Sequence, residues 1–252
     1  MKYIKKIIHN LFRLFGYEVL SLKYKKFEKM WPKILVKNSQ NILIFDVGAN
    51  AGQSIIKYLK IFPSATIHSF EPVEKECKKI LKKFQINRNI IINNCAVGEK
   101  NNEKEFYTAA NTTHSSFHKI LPDTTWLEKR SKKKNVNQNE YMKEKKVVSV
   151  KTLDSYALDK KISFIDILKI DTQGYENKVL EGSINLLENK KIHYVQLELI
   201  FSDIYEKKLF FYDVEKYLIP NGYEIFALSN PGNLYDDFIF QVEAIYYQPN
   251  LN

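Results

Sequence analysis

The run Ile42-Leu43-Ile44-Phe45-Asp46-Val47-Gly48-Ala49-Asn50-Ala51-Gly52 constrains the fold more than any other stretch. An apolar strand carries an acid near its end, and a glycine-bearing turn then opens into a helix that begins near Gln53. This is the layout of a nucleotide-binding βα unit: glycines let the backbone approach a ligand, and the helix N-terminus offers unpaired N–H donors. In the dinucleotide fingerprint G-x-G-x-x-G, the second glycine lets the backbone close on a pyrophosphate. Asn50 stands in that place, so the loop suits a ligand that has no pyrophosphate.

From there strands and helices alternate. Strand 42–47 precedes helix 53–61, strand 65–70 precedes helix 72–84, and strand 89–97 is followed by a short strand at 105–108. Residues 109–146 are polar, rich in Lys and Asn, and lack apolar periodicity. They read as a long loop or lid with room for one helix, and loops of that length are usually functional or disordered. Strand 147–150, helix 153–158, strand 164–170, helix 175–188, strand 193–199 and a helical region to Leu218 complete the alternation. Such a pattern implies a parallel sheet covered by helices on both faces. The last two strands, 223–228 and 238–247, have only a turn-rich segment between them, and strands joined that way are most simply antiparallel. The expected fold is therefore α/β and Rossmann-like: a seven-stranded, mostly parallel sheet with one antiparallel strand. A dinucleotide dehydrogenase would instead continue β-α-β.

At 252 residues the chain buries one substantial core. Its net charge of +10 is uneven: residues 1–40 carry +8 and residues 119–146 carry +5, leaving −3 for the rest. We expect a basic N-terminal arm (1–40) and one domain (41–252) with a basic lid at about 109–146. A slightly acidic body argues against a nucleic-acid groove running through the site. Cys77 and Cys95 have no His partners nearby and read as reduced thiols of a cytoplasmic protein. No apolar run approaches the roughly 18 residues that span a bilayer. In the arm, Ile4, Ile7, Ile8, Leu11, Phe12 and Phe15 recur at helical spacing among lysines. Such an amphipathic basic helix either docks on the domain or attaches residues 1–30 to a partner protein or the inner membrane face.

Glu71 ends the second strand, 23 residues after Gly48, where nucleotide-binding α/β folds place the acid that takes ribose hydroxyls. A carboxylate accepts from both vicinal hydroxyls; the alternative is an acid that merely favours a helix N-terminus. Pro72 follows, compatible with a first helical turn. Asn93, Asn94, Cys95 and Ala96 end the third strand, where an adenine edge would lie; they are equally ordinary strand-end residues. S-adenosylmethionine is an adenosine ligand without a pyrophosphate. The set Asp46, Gly48, Asn50, Gly52, Glu71, Pro72, Asn94 and Ala96, with Asp171, is the expected cofactor site. Asp171 ends the fourth strand beside the switch in strand order. There it either orients a sulfonium, accepts a proton, ligates a metal, or caps the next helix. Glu198 lies in an otherwise apolar strand, where an acid is costly unless paired or ligand-facing. Asp171 and Glu198 are the candidate acceptor-side pair. His114, beside Ser115 and Ser116 in the polar loop, is either a general base or a bystander. His9, His68, His118 and His193 have no metal-ligand spacing.

Together these residues resemble the FkbM family of S-adenosylmethionine-dependent methyltransferases. The resemblance runs in order through Phe45-Asp46-Val47-Gly48-Ala49-Asn50-Ala51-Gly52, Phe70-Glu71-Pro72 and Asn94-Cys95-Ala96-Val97-Gly98. It continues through Ser115-Ser116, Val150-Lys151-Thr152-Leu153-Asp154 and Leu168-Lys169-Ile170-Asp171-Thr172-Gln173-Gly174-Tyr175-Glu176. It implies a class I methyltransferase fold, S-adenosylmethionine as cofactor, and O-methylation of a sugar, surface polysaccharide or natural-product hydroxyl. Two features depart from the family. The basic segment 122–146 reads as an insertion suited to a phosphorylated or nucleotide-linked saccharide, and Gln173 stands where many members carry Glu. Two competing readings are an RNA methyltransferase, prompted by the basic arm, and a non-catalytic platform. The first lacks the Asn/Asp-Pro-Pro-aromatic and Pro-Cys motifs of base methylases; the second would not need Gly48, Gly52 and Glu71.

Overall fold

The computed structural model describes residues 41–229 and 239–251. The expected N-terminal arm lies outside the described residues. In chain order the elements are β1 (Leu43–Val47), α1 (Gln53–Ile61), β2 (Thr66–Phe70), α2 (Glu74–Phe84), β3 (Ile90–Asn93), β4 (Ala96–Val97) and β5 (Asn102–Thr108). They continue with α3 (Thr125–Lys134), β6 (Glu144–Lys151), α4 (Leu153–Asp159), β7 (Ile165–Ile170), α5 (Glu176–Glu181) and α6 (Ile184–Glu188). The last are β8 (Ile192–Ile200), α7 (Phe211–Leu218), β9 (Glu224–Leu228) and β10 (Gln241–Tyr247).

Seven strands form one sheet in the order β3-β2-β1-β7-β8-β10-β9. Neighbours from β3 through β8 pair in parallel, and β10 runs antiparallel to both β8 and β9. The last strand of the chain thus lies inside the sheet, between the two that precede it. Strand order reverses between β1 and β7, so the crevice at their carboxyl ends is the natural ligand position.

The two faces of the sheet differ in chemistry because successive side chains alternate sides. On the Phe45 side, Phe70, Leu168, Ile170 and Val195 pack with Leu153 and Tyr156 of α4 and with Val179 and Leu180 of α5. Burial of each such aliphatic side chain contributes about 1.5–3 kcal/mol. On the opposite side Asp46, Lys169 and Gln196 stand in register across β1, β7 and β8. Helix α1 covers this polar row: Ser54 Oγ donates to Asp46 Oδ2, and Tyr58 Oη donates to Gln196 Oε1 at 2.9 Å. Helices therefore do cover both faces.

Three expected elements are divided or moved. Strand 89–97 is two strands, because Asn94 turns the chain off the main sheet. Its Nδ2 donates back to the carbonyls of Glu71 (2.9 Å) and Pro72 (3.2 Å). Beyond it β4 joins β5 and β6 in a three-stranded sheet of order β4-β6-β5. Helix 175–188 breaks at Gly182-Ser183, where the backbone passes so near the Gly98 carbonyl that any Cβ would overlap it. Helix 72–84 begins at Glu74, leaving Pro72 ahead of the Val73 N-cap. The segment 109–146 is more ordered than its composition suggests. It is the long connection of the β5–β6 hairpin, with α3 and an apolar centre of its own built from Ile120, Trp126, Leu127 and Tyr141 with Ile204 and Tyr205.

Candidate active site

The turn after β1 alternates left-handed residues: φ is +82° at Gly48, +45° at Asn50 and +77° at Gly52. Gly48 is required by packing, since a Cβ there would overlap the Asp171 carbonyl oxygen. The glycine brings β1 and β7 together at the switch point, a reason different from the expected approach to a ligand. Asn50 keeps the conformation a glycine would adopt, which Asn tolerates better than most residues. Its N–H donates to Glu71 Oε2 at 2.8 Å, and its Nδ2 donates to Thr112 Oγ1 at 3.1 Å. Gly52 is the N-cap of α1 and supplies no side-chain cap, leaving the first-turn N–H groups without one.

Glu71 is buried at the tip of β2, its Oε1 accepting the Val73 N–H at 2.8 Å. Burial pushes its pKa up to about 7, against the pull of the Val73 and Asn50 N–H groups. A buried carboxylate beside a left-handed turn and an uncapped helix N-terminus fits the ribose and the amino-acid carboxylate of S-adenosylmethionine. Asp46, by contrast, is fully buried beneath the turn. It ion-pairs with Lys169 Nζ at 3.3 Å and accepts from Ser54, which removes it from direct ligand contact. The Asn94 amide is committed to the Glu71 and Pro72 carbonyls, so its donors shape the pocket wall. Ala96 is buried in β4, in the small sheet.

Asp171 and Glu198 are brought together at the carboxyl ends of β7 and β8. Gln173 bridges them: Nε2 donates to Asp171 Oδ1 at 2.9 Å and to Glu198 Oε2 at 3.0 Å. Its Oε1 accepts from Tyr205 Oη at 3.0 Å, and its carbonyl accepts from Ser116 Oγ at 2.8 Å. Lys169 Nζ lies 3.3 Å from Asp171 Oδ2. Asp171 retains 32% side-chain exposure against 13% for Lys169 and none for Asp46, so Asp171 is the member a substrate can touch. Burial opposes its ionisation, but Lys169 and the Gln173 amide more than offset that, and its carboxyl sits below the usual range. Burial and then the Asp171 charge push Glu198 well above it. Burial and the neighbouring charge thus favour the neutral form of Glu198 beside an ionised Asp171. Glu198 is stabilised by amides, since its Oε1 accepts from Gln241 Nε2 at 2.9 Å.

The His114 side chain lies in the cluster of the insertion, apart from that pair. Its ring meets Trp126 at 4.8 Å between centroids, and Nδ1 is 2.7 Å from Tyr141 Oη. Burial, with help from Arg130 and Lys134, lowers its pKa to about 4. It is a neutral imidazole whose ring has no contact with Asp171 among the described residues; its carbonyl, 3.0 Å from Tyr205 Oη, is what touches the network. Sequence reasoning missed Lys169, Tyr205 and Glu176, whose carboxylate accepts the Thr172 (2.8 Å) and Gly174 (3.1 Å) N–H groups and holds the turn after β7. The signal that singled out Glu198, a charge inside an apolar strand, applies equally to Lys169.

Comparison with known proteins places this geometry. The 2-O-methyltransferase NoeI of Sinorhizobium fredii is 21% identical over 169 residues, 66% of this chain and 67% of that protein. Among solved structures, the fibrillarin pre-rRNA processing protein of Methanococcus jannaschii aligns at TM-score 0.47 and 13% identity, over 83% of this chain and 67% of that one. TrmK of M. capricolum, solved with S-adenosylhomocysteine, aligns at TM-score 0.45 and 11% identity, over 91% of this chain and 69% of that one. The sequence profile of the methyltransferase FkbM domain matches residues 46–225, from the buried Asp46 to the start of β9. The chain belongs to the FkbM family of S-adenosylmethionine-dependent methyltransferases.

Proposed function

We propose that this enzyme O-methylates a hydroxyl of a saccharide, carried on a nucleotide or destined for a cell-surface polysaccharide. The observation that carries this reading is the partly exposed Asp171 carboxylate, ionised by Lys169 and Gln173 at the switch point. When bound, S-adenosylmethionine supplies a methyl group on a sulfonium. Asp171 would accept the proton of the acceptor hydroxyl as the hydroxyl oxygen forms the new C–O bond and the methyl–sulfur bond breaks, its electron pair staying on sulfur as a neutral thioether; such base assistance is worth roughly 10²–10⁴-fold. Glu198, retaining its proton, and the amide of Gln173 hold that carboxylate in place. Alignment of the two partners supplies much of the remaining acceleration. The name of the relative NoeI, a 2-O-methyltransferase, supports oxygen as the acceptor atom. The test is transfer of a labelled methyl group to a panel of sugar nucleotides, neutral glycosides and RNA. Labelled sugar with an O-methyl group is the expected product, and labelling of RNA alone would sink the reading.

Two further outcomes follow from the site. Glu71 is a neutral acid below about pH 7 and a carboxylate above it, and ribose hydroxyls donate best to the carboxylate. Cofactor affinity should therefore rise between about pH 6 and about pH 8. In Glu71→Gln that rise should flatten, with affinity at the upper pH weakened about tenfold or more. Isothermal calorimetry measures both, and unchanged affinity in the variant would remove Glu71 from the cofactor site. Gln173→Leu deletes the amide donor that favours the Asp171 carboxylate, together with its bridge to Glu198. The acid limb of kcat/KM should move to higher pH, with about a ten- to hundredfold loss at neutral pH. A drop of equal size at every pH would assign Gln173 a merely structural part.

A further inference from the structure

The basic insertion is organised in a way that the charge count alone does not reveal. Three of its four acids pair with lysines: Glu128 with Lys132 at 2.7 Å, Glu140 with Lys143 at 3.4 Å, and Glu144 with Lys146 at 2.9 Å. Arg130 has no such partner among the described residues. Its guanidinium, half-buried, lies 5.6 Å over the Trp126 ring. Trp126, Arg130 and Lys134 follow at intervals of four along α3 and so share one face. Two more donors on the same helix are buried without a hydrogen-bond partner: Trp126 Nε1, in a residue 8% exposed, and Ser131 Oγ, in a residue 3% exposed. A buried N–H without an acceptor is costly unless something supplies one. Ser131 lies about 100° round the helix from Arg130 and is apart from this face. Trp126 Nε1 and the Arg130 guanidinium are its unmet donor and unpaired cation, and what would satisfy those two together is an anion with several oxygens.

The same face adjoins the methyl-transfer site. Trp126 packs on His114, and the single Tyr205 hydroxyl lies 3.0 Å from both the His114 carbonyl and the Oε1 of Gln173, the bridge between Asp171 and Glu198. Arg130 and Lys134 are near enough to His114 that their charges help depress its pKa. We propose that the α3 face bearing Trp126, Arg130 and Lys134 is an anion subsite that takes the phosphate or diphosphate of a phosphorylated sugar acceptor. Arg130 is its specificity residue, because a planar guanidinium fixed on an indole presents a fork of donors that matches phosphate oxygens. This inference rests on the saccharide reading, but its test separates the two.

Inorganic pyrophosphate is titrated calorimetrically into the full chain and into two variants that remove one charge each. Arg130→Ala deletes the proposed contact; Lys132→Ala deletes a cation from the solvent side of α3. Binding should weaken about tenfold or more in Arg130→Ala and hold in Lys132→Ala. Equal losses would show a diffuse charge effect and overturn the proposal, as would failure of the unaltered chain to bind pyrophosphate. Competition by UDP and by a short prenyl diphosphate then distinguishes a nucleotide carrier from a lipid carrier. Pyrophosphate binding lost specifically in Arg130→Ala, with no sugar methylated in any assay, would uphold the subsite and refute the saccharide reading. With a true acceptor, Arg130→Ala should raise KM for the phosphorylated sugar and leave that for its neutral glycoside unchanged. An equal rise for both would count against phosphate recognition.

Discussion

Asp171→Asn is expected to lower kcat about 10²–10⁴-fold. The substitution is nearly isosteric, so the amide can still meet Gln173 and the packing of Gly48 against the Asp171 backbone is untouched. What is lost is the partly exposed carboxylate that Lys169 and Gln173 keep ionised, with its capacity to take a proton from a hydroxyl. Measurement of both turnover and cofactor affinity separates the two roles this position can play. A base acts on the acceptor, so kcat falls while calorimetric cofactor affinity holds. A carboxylate that orients the sulfonium would lower affinity and kcat together. Full activity of Asp171→Asn on its acceptor would end both assignments. Glu198→Gln should be milder, because Glu198 is already neutral and the amide preserves its shape.

Lys169→Met is expected to be the most destabilising single change at the site. Lys169 stands between the Asp46 and Asp171 carboxylates, at 3.3 Å from each, and burial of its ammonium is outweighed by those two charges, so it stays protonated. Removal of the cation leaves two carboxylates facing each other with no countercharge. Breaking a buried pair in this way costs about 3–5 kcal/mol, a fall in Tm of about 6–20 °C for a chain of this size. The sign of the pH dependence is fixed by the same physics. Without Lys169 the burial that raises the Asp171 carboxyl is no longer offset by that charge, so the variant is least handicapped at acid pH and loses stability as pH rises. A second substitution, Asp46→Asn, should restore part of the loss. Thermal melts at several pH values would show it, and a variant as stable as the parent would mean that the cluster carries no net charge interaction.

What was legible in the sequence is what local position encodes. Glu71 and Asp171 were found because strand ends at the switch point are recognisable from the alternation alone, and Glu198 because a charge in an apolar strand is conspicuous. The seven-stranded sheet with one reversed strand follows from the turn-rich sequence that separates the last two strand patterns. Lateral register was not legible. Asp46 stands beside Lys169, and Lys169 beside Gln196, only once three strands far apart in sequence are aligned. Asp46 therefore looked like a ligand contact, although its carboxylate is sealed beneath the turn. The bridge from Gln173 to Tyr205 depends on the segment after β8, which the sequence predicts as helical to Leu218 but which is helical only from Phe211. His114 misled for the opposite reason: a titratable residue in a polar loop suggests chemistry, and its polar neighbours gave no sign of the aromatic shelter of Trp126 and Tyr141.

The insertion leaves and re-enters the domain through the adjacent ends of one antiparallel hairpin, β5 and β6, while Tyr205 reaches it from the segment after β8. A stem of that kind lets a cassette be exchanged without disturbing the sheet that holds the donor. The Ile120–Tyr205 bridge makes the cassette a two-part lock, however. Descendants of this fold that acquire a new acceptor should change residues 109–143 and 201–210 in step, and a chimera carrying either segment alone should retain the cofactor and lose the substrate.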